Sequence, residues 1–169
     1  MTHQREDGNT VDKDEARTPM SLFKKLNEIF RFDYDLCCNH ENCLCRCGLF
    51  ADDGVDMLTT NFSQLAARSI IGYCNPPYSN PTPFVAKAYE ESRQGATVVM
   101  LLPSDTSTKV FHKYVMKASE IIFIEGRITF NNPNGTPMRG SPKFGSMVVI
   151  FDRKSFKGIP IISSMRWKE

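Results

Sequence analysis

The residues best suited to chemistry in this chain are four in a row, Asn75-Pro76-Pro77-Tyr78. An apolar run, Ile70-Ile71-Gly72-Tyr73-Cys74, precedes them and reads as a buried strand. Thr82-Pro83 follows as an N-cap and first helical position, opening a helical pattern through about Arg93. Proline fixes its own φ, lacks an N–H and pushes the preceding residue toward extended backbone. Two prolines at a strand end therefore make a stiff loop with few alternative shapes. Asn75 offers a carboxamide oxygen, Pro76 and Pro77 offer carbonyls, and Tyr78 offers a flat face. Rigid acceptors beside an aromatic plate suit a planar substrate carrying an amino group. The competing reading is a proline-rich turn that caps a strand, with Tyr78 as packing.

The elements that must position this loop follow from the apolar pattern. Residues 1–17 are charged and nearly free of large apolar side chains, which predicts a disordered lead-in. Thr18-Pro19 then opens a helix with Leu22, Phe23, Leu26, Ile29 and Phe30 on one face. The alternation of Phe32–Cys38 predicts the first core strand, with Asp35 near its carboxyl end. That edge is where ligands bind in open α/β sheets. Asp52-Asp53-Gly54 reads as a turn, and Asp53 is a candidate ribose contact for a cofactor by analogy with dinucleotide sites. Asp56-Met57-Leu58 leads toward a short helix containing Phe62, Leu65 and Ala66.

Further on, Thr97–Leu102 reads as a fully buried strand, and a helix with Val110, Phe111, Tyr114 and Val115 inward follows. His112 falls off that stripe and reads as a surface histidine. Ile121–Ile124 is the next strand, and Met147–Phe151 closes the sheet as an antiparallel strand. Strands alternating with helices predict an α/β fold, a Rossmann-like sheet with helices on both faces, in a single domain over 18–169.

Asn75-Pro76-Pro77-Tyr78 resembles the Asp/Asn/Ser-Pro-Pro-Tyr/Phe signature of amino-methyltransferases that use S-adenosylmethionine. Thr18-Pro19 resembles the Thr-Pro that starts the cofactor-side helix in many of them. With Phe32-x-x-Asp35, followed by cysteines, the order over about residues 18–151 is similar to the phage and prophage (Dam-like) family of DNA N6-adenine methyltransferases. The resemblance implies a methyltransferase domain, S-adenosyl-L-methionine as cofactor and DNA as partner. It implies catalytic roles for Asn75, Pro76, Pro77 and Tyr78, and cofactor contacts from Thr18, Pro19 and Asp35. The first strand departs from most methyltransferases, because Cys37-Cys38-Asn39-His40 stands where a glycine-rich turn is usual. Related motifs act on glutamine side chains and structured RNA, so another amine substrate, or a catalytically silent nucleic-acid binder, fits the same residues.

Composition bounds these readings. Hydrophobic residues make up 41% of the 169 positions, enough for one real core. No apolar run approaches the ~20 residues of a membrane span, and the polar start and six cysteines predict a cytoplasmic protein with free thiols. Cys43-x-Cys45-x-Cys47 lacks the Cys-x₂₋₄-Cys pairs of zinc sites, so no metal is expected. Net charge is only +2, yet from Gly126 onward eight basic residues face two acids. The turn-rich stretch Asn131–Pro137, flanked by Arg127, Arg139 and Lys143, is therefore the candidate DNA-recognition loop within 127–146.

Overall fold

Alternation along the central strands sets the architecture. In the computed structural model, which describes residues 13–139 and 142–168, seven strands form one mixed sheet. They are β1 (Tyr34–Cys38), β2 (Cys47–Phe50), β3 (Ile71–Cys74), β4 (Thr97–Pro103), β5 (Glu120–Glu125), β6 (Ser146–Phe151) and β7 (Ile161–Arg166). Their order across the sheet is β2-β1-β3-β4-β6-β5-β7. Only β6 runs antiparallel to its neighbours, as expected, yet it does not close the sheet: it lies between β4 and β5, and β7 forms the edge.

Val98, Met100 and Leu102 of β4 point to one face, where Val85 and Ala88 of helix α2 (Thr82–Arg93) and Phe111 of helix α3 (Lys109–Lys113) complete a core. Val99 and Leu101 point to the other, where Leu22, Phe23 and Leu26 of helix α1 (Met20–Phe30) cover them. A strand buried on both faces needs apolar residues throughout, and β4 and β6 have them. The α/β sheet with helices on both faces is thus the fold read from the sequence.

The chain runs from β1 to β2 on one side and then to β3 on the other. The order therefore reverses between β1 and β3, which opens a crevice outside their carboxyl ends. A Cβ on Gly72 would lie 2.4 Å from Leu36 Cδ1, so any other residue there would have to displace that fully buried leucine.

Several elements depart from the expected ones. The first strand starts at Tyr34 because Phe32 and Asp33 are otherwise engaged. Asn27 Oδ1 takes the Phe32 N–H at 2.8 Å, and the Asp33 carboxylate takes Arg68 and the Ile71 N–H. Asp35 is therefore the second residue of β1 and not near its carboxyl end. Pro19 and Pro81 hold the N-cap positions of α1 and α2, so neither Thr18 nor Thr82 caps. Ile29, expected on the core face, is 62% exposed. The short helix near Phe62 is a single 3-10 turn, Phe62–Gln64. Strands β2 and β7 were not expected at all.

The lead-in expected over 1–17 lies outside the described residues up to 12. Its end is ordered: Lys13–Glu15 make a 3-10 turn, and Arg17 forms an antiparallel bridge with Asn131, with N–H···O contacts of 2.9 Å in both directions.

Candidate active site

The loop after β3 is fixed from both ends. Tyr73 and Cys74 are fully buried, Pro76 is buried, and the Pro81 carbonyl takes the Val85 N–H at 3.0 Å as α2 begins. Between these anchors, Asn75 Nδ2 donates to the main-chain oxygen of Ala16 at 3.0 Å. That bond decides which way the carboxamide faces, and it leaves Asn75 Oδ1 buried with no partner. Among the described residues, only one other buried side-chain oxygen or nitrogen lacks a partner: the Tyr78 hydroxyl. Both orphans belong to the same four residues. Leaving a buried acceptor unmet costs about 1–3 kcal/mol, so such atoms call for an explanation.

Tyr78 packs edge-on against Phe130, with ring centroids 5.7 Å apart at 87°. Burial pushes its phenol well above the usual tyrosine range. Both rings line a cavity of about 600 Å³ over the carboxyl end of β4 and the amino end of β6, which Pro103, Met138, Arg139 and Lys143 also line; of the four motif residues it is Tyr78 that reaches this lining. An apolar cavity of that size with a few polar groups is a common ligand-site geometry.

The segment expected to recognise DNA forms the far wall. It is less of a loop than its composition predicts. Ile128 and Phe130 are buried in the α1-side core, and Met138 N–H bonds to Phe130 O at 2.8 Å, closing a hairpin-like tongue. Its tip turns at Gly135, whose φ of 82° favours glycine, while Asn132 N–H reaches Thr136 O at 2.7 Å. Arg127 Nη1 donates to Pro142 O at 2.7 Å and clasps the two ends of the tongue. Arg139 and Lys143 are exposed at the cavity mouth.

The expected cofactor residues lie apart from this cavity, around the crevice at β1 and β3. Thr18 is buried, and its hydroxyl hydrogen-bonds the Tyr73 hydroxyl at 2.7 Å. Pro19, also buried, starts α1. Asp53 sits just past the carboxyl end of β2, exposed, with His40 Nε2 2.8 Å away. The His40 ring stacks on Phe50 at 4.2 Å, and the Asp53 contact raises its pKa.

Asp35 does something different. Buried beneath the crevice, it accepts the Leu44 N–H at 3.1 Å and the Cys37 N–H at 3.3 Å, and so folds the cysteine-rich loop back onto β1. Burial raises its pKa to about 6, although both N–H bonds favour the anion. Cys38 and Cys43 bring sulfurs within 4.8 Å of this carboxylate. Cys38 Sγ is already turned to the main-chain oxygens of Asp35 and Leu49. All six thiols are free.

The family model for DNA N-6-adenine-methyltransferase (Dam) matches residues 7–168. The chain belongs to this family. A relative from Haemophilus phage HP1 (strain HP1c1), named DNA N-6-adenine-methyltransferase, is 37% identical over 153 residues, covering 85% of this chain and 82% of its own length. A relative of the same name from Escherichia phage T1 is 32% identical over 124 residues, covering 72% of this chain and half of its own length. In this Dam-family chain no described helix is long and apolar enough to cross a membrane.

Sequence reasoning missed Ala16, Asp14 and Phe130 as parts of the site. The first two fall in a stretch without apolar signal, and Phe130 falls in a turn-rich one. Tertiary contacts alone bring them in.

The raised Asp35 pKa makes a stability prediction. The folded state holds the proton up to about pH 6, the unfolded chain only to about pH 4. Stability contributed by Asp35 is thus full below about pH 4 and lost as pH rises through 6. Relative to Asp35→Asn, the natural chain should lose about 1–3 kcal/mol of unfolding free energy across that window by urea denaturation. A flat difference would show that Asp35 titrates as an exposed carboxylate does.

Proposed function

We propose that this Dam-family chain methylates the N6 amine of adenine in DNA, with S-adenosyl-L-methionine as donor and Asn75-Pro76-Pro77-Tyr78 as the catalytic loop. The observation that carries the reading is the orphaned oxygen of Asn75. Asn75 Oδ1 is a buried acceptor without a donor, in a rigid loop beside a cavity lined by Tyr78. An exocyclic amine supplies the missing donor.

Adenine N6 is a poor nucleophile because its lone pair is delocalised into the ring. Acceptors at Asn75 Oδ1 and the Pro76 carbonyl would take the two N6 hydrogens. They thereby favour a pyramidal nitrogen and stabilise the positive charge that develops there as methyl is transferred. Neither group accepts a proton fully, so the proton released from N6 passes to solvent. Holding the amine in line removes much of the remaining barrier. Duplex DNA hides N6, so the base must leave the stack, at a cost of about a few kcal/mol, and its ring would lie against Tyr78. Phenylalanine occupies this place in similar motifs, which fits a role for the ring and leaves the orphaned hydroxyl dispensable.

The donor group is assigned to the strand-order switch between β1 and β3, where ligands bind in open α/β sheets. Asp53 offers an exposed carboxylate for a ribose diol, and His40 is its present partner. Thr18 and Pro19 start the helix flanking that crevice, and Asp35 acts from beneath by holding the 39–46 loop. S-adenosylmethionine, when bound, supplies a methyl that its sulfonium makes electrophilic without help.

The direct test is methyl transfer from labelled cofactor to DNA, structured RNA and protein side by side. Label should appear in DNA as N6-methyladenine. Label in RNA or on glutamine instead would favour the other amine substrates, and no transfer with intact cofactor binding would favour a silent binder.

DNA grip is assigned to Arg139 and Lys143 at the cavity mouth, with Arg127 as the clasp of the tongue. Each phosphate contact contributes about 0.9 to the slope of log affinity against log salt. The Arg139→Ala/Lys143→Ala double variant should flatten that slope by nearly two units and leave cofactor affinity intact. A slope equal to that of the natural chain would show that phosphates are held elsewhere.

A further inference from the structure

The short segment before α1 meets the catalytic loop at two places. Ala16 O fixes the Asn75 carboxamide, and four residues further along the loop Asp14 holds Ser79 twice. Asp14 Oδ1 accepts the Ser79 N–H at 2.9 Å, and its Oδ2 accepts the Ser79 hydroxyl. The same segment continues into the Arg17–Asn131 bridge, which ties it to the tongue carrying Phe130. A strap two residues from one contact to the next thus spans the motif from its first residue to the residue after its last. Proline stiffness and the anchors in β3 and α2 fix the loop's ends, and the Asp14–Ser79 contacts add a hold just beyond Tyr78.

We propose that Asp14 is a positioning residue for methyl transfer: by clamping Ser79 it holds Asn75 Oδ1 and Tyr78 in register with the cavity. The inference rests on the reading of Asn75 given above. Asp14 touches no reacting atom. It acts through geometry, and displacements of about 1 Å at a reacting centre can cost about 10²-fold in rate.

An asparagine at position 14 would keep both bonds, its carbonyl accepting the Ser79 N–H and its amide donating to the Ser79 oxygen. Alanine would keep neither. The experiment is single-turnover methyl transfer by Asp14→Ala, Asp14→Asn and the Asp14→Ala/Ser79→Ala double variant. Cofactor affinity, DNA affinity and Tm are measured on each, and Asn75→Ala is run alongside. Asp14→Ala should slow the chemical step about tenfold or more with both affinities and Tm nearly unchanged. Asp14→Asn should recover most of that rate, and adding Ser79→Ala should cost little more, since the two residues act as one unit.

An Asp14→Ala variant at full rate would overturn the proposal. So would an asparagine variant as slow as alanine, because the carboxylate would then act through its charge. A loss confined to DNA or cofactor affinity would overturn it as well. If Asn75→Ala were fully active, the reading of the loop would fail. If Asn75→Ala were inactive and Asp14→Ala intact, only the clamp would.

Discussion

One hydrogen bond, from Asn75 Nδ2 to the Ala16 main-chain oxygen, governs the site. A carboxamide can present either its oxygen or its nitrogen to a substrate, and only the oxygen is useful for an amine. Spending the nitrogen on a main-chain carbonyl removes that ambiguity and leaves the acceptor buried and unmet. The arrangement is unfavourable for the protein alone, which is the expected state of a group preorganised for a ligand. The rest of the structure serves that bond. β3 delivers the loop, two prolines stiffen it, and the segment before α1 supplies the carbonyl.

The sheet adds a second constraint. Because β1 lies between β2 and β3, the strand order reverses beside the strand that carries the Asn75–Tyr78 loop. The buried Asp35 carboxylate carries a cost for this geometry, since burial works against its charge while Leu44 and Cys37 N–H groups hold it. In exchange it shapes a loop that has no glycine-rich turn to shape it.

Much of this was legible in the sequence because the signals are local. Continuous apolar runs identified β3, β4, β5 and β6, and proline chemistry identified the stiff loop and the start of α2 to within a residue. What was missed depends on distant partners. β2 is four residues long, and a loop of eight residues joins it to a parallel neighbour, shorter than such connections usually are. Its fold-back depends on Asp35 meeting Leu44, which no periodicity reveals. Strand β7 lies at the sheet edge with Ile161 and Ile162 both exposed, so it shows no alternation. Thr18 looked like a cap, yet its hydroxyl is taken by Tyr73, fifty-five residues away. Residues 13–17 looked disordered because a strap held by main-chain bonds and one carboxylate needs no apolar side chains.

The most direct measurement is the single-turnover rate of methyl transfer to DNA by Asn75→Ala, with cofactor affinity measured calorimetrically on the same variant. Losing one preorganised polar contact in the transition state costs about 10²-fold or more. With the amine as the proposed partner of Asn75, the rate should fall by at least that much while cofactor affinity changes little. Near-normal turnover in this variant would contradict it.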